Sequence, residues 1–153
     1  MPGADPAVFA TAGGIGVVVT DVRLAPSVRV GAGDALVVTL DLAAGPARAA
    51  ALERHAGAFS AWERQGDRSV PPPPSPAEAL LAALTVVAVD DGGTALAWRT
   101  RALGGSGTEC TGVYEFDAPS PEVMTVTISG GPERRVLARR APGSWTTSPA
   151  ANR

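Results

Sequence analysis

Hydrophobic and polar residues alternate along much of this chain with the period of two that marks a strand with one buried face. Asp34–Leu42 shows it most clearly. Leu36, Val38, Leu40 and Leu42 point one way, and Val37, Thr39 and Asp41 the other. Gly31-Ala32-Gly33-Asp34 supplies the turn before it. Ile15–Leu24 predicts a second strand, with Val18, Thr20, Val22 and Leu24 on one face and Val17, Val19, Asp21 and Arg23 on the other. Five short strands then follow one another as Leu84–Val89, Thr94–Ala102, Glu109–Asp117, Val123–Ser129 and Arg134–Arg139. Turns rich in Gly and Pro separate them, and Asp90-Asp91-Gly92-Gly93 is a hairpin turn of residues tolerant of positive φ. This spacing predicts an antiparallel meander in a sandwich or barrel.

Between Pro46 and Gln65 the period changes. Leu52, Ala56, Phe59 and Trp62 recur at spacings of three and four, which is one face of a helix. Pro46 suits its first turn and Gly66 its C-cap. Pro71-Pro72-Pro73-Pro74-Ser75-Pro76 follows as a stiff extended segment, a spacer returning the chain to the sheet at about 3.1 Å per residue. Glu78–Ala83 is expected to make one helical turn.

The pattern thus predicts a mainly β fold, an antiparallel β-sandwich of two sheets with one inserted helix at about residues 46–65. At 153 residues the chain is read as one domain. Residues 15–140 form the sandwich, with a flexible N-terminal segment at 1–14 and a flexible tail at 141–153. Leu36, Val38, Leu40, Trp98, Tyr114, Phe116, Val126 and Ile128 are the expected core, and Trp62 also fits a core position.

Charge narrows the function classes. The net charge is −2, and all 13 basic residues are arginine. The only concentrations are Arg99/Arg101 and Arg134/Arg135/Arg139/Arg140, so no nucleic-acid partner is expected. The all-Arg usage reads as a GC-rich bacterial codon bias. No apolar run approaches the ~20 residues that span a bilayer. The start lacks a basic segment followed by an apolar one, so a cytoplasmic location is expected. The single cysteine, Cys110, rules out an internal disulfide framework.

Residues that could carry chemistry are few. Asp90 and Asp91, with Asp117, could meet at one end of a sandwich, but the spacing of a calcium loop is absent and Asp-Gly sequences shape turns by themselves. Gly104-Gly105-Ser106-Gly107 precedes a strand and not a helix N-terminus, so it reads as a hairpin loop and not a phosphate cradle. His55, the only histidine, has no metal-ligand neighbour in sequence. Cys110 lies on the face shared with Tyr114 and Phe116 and reads as a small buried hydrophobe. Trp145 sits in the polar stretch Gly143-Ser144-Trp145-Thr146-Thr147, where it could anchor the tail onto the sandwich or bind a partner. Trp145, Asp90 and Asp91 are therefore the binding candidates. No catalytic, cofactor or metal residue is assigned.

Val86-Val87-Ala88-Val89-Asp90-Asp91-Gly92-Gly93-Thr94, then Gly104-Gly105-Ser106-Gly107, then Tyr114-Glu115-Phe116-Asp117-Ala118-Pro119 resemble a pattern seen in bacterial immunoglobulin-like β-sandwich domains of unknown function. The resemblance covers about residues 84–130 and implies a fold but no catalytic residue. The resulting expectation is a non-catalytic binding or assembly module with a protein partner. The alternatives are a carbohydrate- or small-ligand-binding sandwich, or a hydrolase-like enzyme using dispersed acids such as Asp90, Asp91, Glu109 and Glu115. A homodimer is expected through the helix of residues 46–65 or a face bearing Val17, Val19 and Val37. The strand Arg134–Arg139 is expected to be a charged, unpaired edge.

Overall fold

The computed structural model describes residues 8–82, 84–103, 110–120, 122–130, 134–141 and 144–149. Among them are ten strands: β1 (Val8–Ala12), β2 (Ile15–Pro26), β3 (Asp34–Leu42), β4 (Val87–Asp90), β5 (Ala95–Leu96), β6 (Trp98–Leu103), β7 (Thr111–Asp117), β8 (Thr125–Ser129), β9 (Arg134–Ala141) and β10 (Ser144–Pro149). One helix, α1 (Pro46–Gln65), and a single helical turn, Ala77–Leu81, lie between β3 and β4. No described helix is long and apolar enough to cross a membrane.

The strands form one antiparallel sheet in the order β5-β4-β8-β9-β10-β2-β3-β7-β6. Its two ends are successive pieces of one chain segment, because only Ala97 separates β5 from β6. The segment pairs with β4 before Ala97 and with β7 after it, so the sheet curls into a nearly closed barrel. The sequence predicted two sheets and a simple meander. The structure differs because β7 pairs with β3 while β8 crosses over to pair with β4.

Both expected loose ends contain strands. Val8–Ala12 turns through Gly13-Gly14 and pairs back on Ile15–Val18. Those glycines have φ of 57° and 81°, the two positive values that a tight hairpin turn matching strand twist requires. Ser144–Pro149, read as part of a tail, forms β10. It lies along β9 for its whole length and meets β2 at one registered pair, Ser144 with Arg23. The expected free edge at Arg134–Arg139 is therefore absent, since β9 is paired with β8 on one side and β10 on the other.

The core follows from register. Leu24, Leu36, Phe116 and Trp98 occupy one row across β2, β3, β7 and β6, and Val22, Val38 and Tyr114 the next. Leu36, Val38, Leu40, Tyr114, Phe116, Val126 and Ile128 are all buried together, with Trp98 half-buried against them. The simple alternation read for β2 fails at Thr20, where a bulge shifts the register between Val19 and Asp21. One extra residue flips the parity. Val17 and Val22 thus both join the core although the sequence put them on opposite faces. Val17 and Val37 are completely buried within the chain, which removes the valine face proposed for dimerisation.

Candidate interaction surface

A hydrolase-like site built on dispersed acids would need those acids together. Asp90 stands at the β4–β5 turn as read, and its Oδ1 accepts the amides of Gly92 and Thr94 at 2.9 Å each. Asp91 Oδ2 accepts the amide of Met124 at 3.0 Å. Both carboxylates hold backbone. Glu109 and Gly104-Gly105-Ser106-Gly107 lie outside the described residues. Among the described residues no three His, Cys, Asp or Glu side chains come together as metal ligands.

Glu115 is the acid that sequence reasoning undervalued. It lies on the outer face of β7, directly across from Arg99 on β6. It is fully buried because the β2–β3 loop folds over it. The Ser27 hydroxyl donates to Oε2 at 2.5 Å and the Val28 amide to Oε1 at 2.8 Å. Arg99 Nη2 donates to Oε2 at 2.7 Å and reaches Asp117 Oδ1 at 2.8 Å. Arg101 ties the same loop down by donating to the Pro26 carbonyl at 2.9 Å. Burial alone would push the Glu115 pKa up. Ser27, Val28 and Arg99 together outweigh it and bring the value down to about 2. This is a clamp that fastens a loop, with every carboxylate oxygen occupied.

Cys110 is buried, and desolvation raises its thiol pKa, which disfavours the nucleophilic thiolate. Trp145 lies inside the barrel at 6 % exposure and not on a loose tail, with the Arg139 guanidinium 5.2 Å from its ring. Its Nε1 meets no acceptor among the described residues. Trp145→Phe is therefore expected to cost only about 1–2 kcal/mol, the loss of ring volume alone. Urea denaturation checks this, and a larger loss would mean that the indole N–H is held.

The remaining feature is an arm. α1 makes only marginal contact with any strand and buries a single residue completely, Ala51. Its root is Arg48, whose Nη1 donates to the Leu42 carbonyl at 2.9 Å and lies 3.5 Å from Asp41. Gly66 ends the helix in the left-handed conformation at φ 70°, and Asp67 Oδ1 then accepts the amide and hydroxyl of Ser69 to turn the chain. Residues 71–75 run back without regular structure. Twenty helical residues rise about 30 Å. An extended polyproline path covers that distance in about ten residues, which matches the return from Gly66 to Pro76.

Aromatic side chains join the two limbs of this arm. The Trp62 indole donates to the Val70 carbonyl at 2.7 Å, Arg68 stacks 4.5 Å above its ring, and Phe59 lies 5.4 Å away. His55 continues the row 6.0 Å from Phe59. Trp62 therefore packs the arm and not the barrel core. The covered stripe runs through His55, where the sequence pattern had placed Ala56, because the surface it meets is the proline run. An open cleft of about 280 Å³ lies between the limbs, lined by Ala51, His55, Ala58, Pro73 and Pro74. Two others, of about 300 Å³ beside Gly13 and Leu80 and about 430 Å³ on the outer face of β4 and β8, carry threonine and serine hydroxyls and one acid, Asp90.

No protein-family model, curated protein or solved structure matches the chain. The reading of its function therefore rests on its own residues. Of the features above, the arm is the one whose side chains are not used up in holding the barrel. Phe59 and Val70 remain 36 % and 42 % exposed upon it.

Proposed function

We propose that the protein is a non-catalytic binding or assembly module that works through the arm formed by α1 and the proline run. The observation that carries this is that, beyond its root at Arg48, Ala51 and Leu52, the arm is braced by the proline run and does not pack on the barrel. A helix braced by a polyproline strut keeps its shape without a sheet beneath it, and a preorganised surface loses little entropy on binding. The barrel in this reading is a scaffold. The mainly β antiparallel character is all that the fold shares with the bacterial immunoglobulin-like domains that the sequence resembles, since the strands curl into one sheet and not two. A protein partner in the cytoplasm is part of the proposal.

A photo-crosslinking amino acid placed at Ser60 on the arm, and in a separate variant at Thr20 on the barrel wall, tests this in cell extract. Both positions are exposed. Discrete adducts are expected from Ser60 and none from Thr20. Adducts from Thr20 alone, or from neither position, would overturn the proposal.

A further inference from the structure

The side of α1 turned away from the prolines has its own pattern. Ala50, Glu53, Gly57, Ala61 and Arg64 recur at spacings of three and four, opposite the covered stripe of Ala51, His55 and Trp62. Among the described residues nothing accounts for two features of this side. Gly57 has no positive φ, and a Cβ added there would meet nothing within 4 Å. A mid-helix glycine disfavours the helix relative to alanine, and among the described residues nothing offsets that. Glu53 and Arg64 make no ion pair or hydrogen bond among the described residues. Three and four positions away within α1, Glu53 faces only Ala49, Ala50, Ala56 and Gly57, and Arg64 only Ser60 and Ala61. Asp67, three residues after Arg64 and past the helix end, is engaged by Ser69.

We infer that this side of α1 pairs with α1 of a second copy of the same chain, antiparallel, about a two-fold axis passing between Ala58 and Phe59. The inference rests on the reading of the arm as the binding element and names its occupant. Glu53 and Arg64 are equally far from that midpoint, each about 8 Å along the helix axis at 1.5 Å per residue. Antiparallel pairing sets Glu53 of each copy against the partner's Arg64, and the symmetry makes the ion pair twice. A parallel arrangement would oppose like charges at both positions. Ala50, Gly57 and Ala61 between them let the helix backbones approach to about 8 Å, the close end of helix packing. The glycine that the chain alone leaves unexplained then lies at the crossing.

One face of a helix about 30 Å long and about 10 Å wide buries less than the roughly 1,200–2,000 Å² of stable interfaces, so a weak affinity of roughly tens of micromolar is expected. Sedimentation velocity of the purified full-length chain from low to high micromolar concentration should show a reversible monomer–dimer equilibrium. Glu53→Arg alone and Arg64→Glu alone should each weaken the dimer about tenfold or more, since each opposes like charges twice. The two variants mixed should dimerise with each other, because every cross-pair then joins Glu to Arg. The double swap in one chain should also restore the wild-type constant. These exposed positions carry no packing, so circular dichroism of the variants should match the wild type. A monomer at high micromolar concentration, or a dimer indifferent to either reversal, would overturn the inference. If the purified chain is monomeric while Ser60 crosslinks to a different protein in extract, self-pairing falls and the arm as a binding element stands. If Ser60 gives no adduct at all, that broader reading falls.

Discussion

Trp98→Ala should cost roughly 3–5 kcal/mol, the usual loss for removing a large aromatic side chain from a core. Trp98 opens β6 immediately after Ala97, at the point where the sheet meets its own other end. Its indole stacks on Tyr114 at 4.4 Å and leans on Phe116 at 4.4 Å. Its removal therefore empties the joint between β6 and β7 while leaving β5 to hold the corner with two residues. Domains of this size are stable by only about 5–15 kcal/mol, so the variant should be partly unfolded at modest urea concentrations. Trp62→Ala is the natural comparison. It removes a ring of the same size from the arm and should leave the barrel transition nearly unmoved. A loss below ~1 kcal/mol for Trp98→Ala would mean that the joint is held by backbone pairing alone, which mutational losses at buried aromatics do not support.

The second large effect concerns Glu115 and acid. Its carboxyl titrates at about 2 in the folded chain against 4.5 in the unfolded one. A depressed folded value means that the clamp's contribution is complete above about pH 4.5 and is lost as pH falls through the folded value, as linkage requires. Stability measured by urea should thus fall steeply between about pH 5 and pH 2. Glu115→Gln should remove most of that slope. A small one should remain from Asp67, whose pKa is also lowered by Ser69. Glu115→Ala leaves the Ser27 hydroxyl, the Val28 amide and Arg99 without their acceptor beneath the loop, and should cost roughly 3–5 kcal/mol near neutral pH. An unchanged acid profile in Glu115→Gln would place the sensitivity elsewhere.

Residue by residue, the sequence was most legible where apolar alternation runs without interruption. β3 begins at Asp34 and ends at Leu42 as its pattern implies, and the Asp90–Gly93 turn and both ends of α1 follow their capping chemistry. β2 was misread because Val17, Val18 and Val19 are all apolar, so the run carries no parity and the bulge at Thr20 leaves no mark. β1 had a local signal that was passed over, since two glycines between short apolar stretches are a hairpin turn in themselves. β10 carries one inward tryptophan among hydroxyls, too little for a pattern. The closure through Ala97 depends on which strands find each other across the chain, and no local period encodes that. Glu115 was placed on the correct strand and face, but its burial depends on residues 27–33 folding over it, which is tertiary information. His55 and not Ala56 lies under the prolines for the same reason.

The barrel wall is unevenly sewn. β2 and β3 share nine registered pairs, whereas among the described residues β10 and β2 share one, Ser144 with Arg23. A wall of this kind breathes along its weakest line. Local opening there frees the β10 edge of the sheet, still held to β9, while the ladders from β2 to β7 and from β8 to β9 stay shut. Amides of β10 that face β2 then exchange with solvent through a small fluctuation, and those of β3 only when the whole domain unfolds. The slit uncovers Trp145, so with Trp62 and Trp98 replaced by Phe the fluorescence of the remaining indole would report the opening of that edge while the rest of the barrel remains folded.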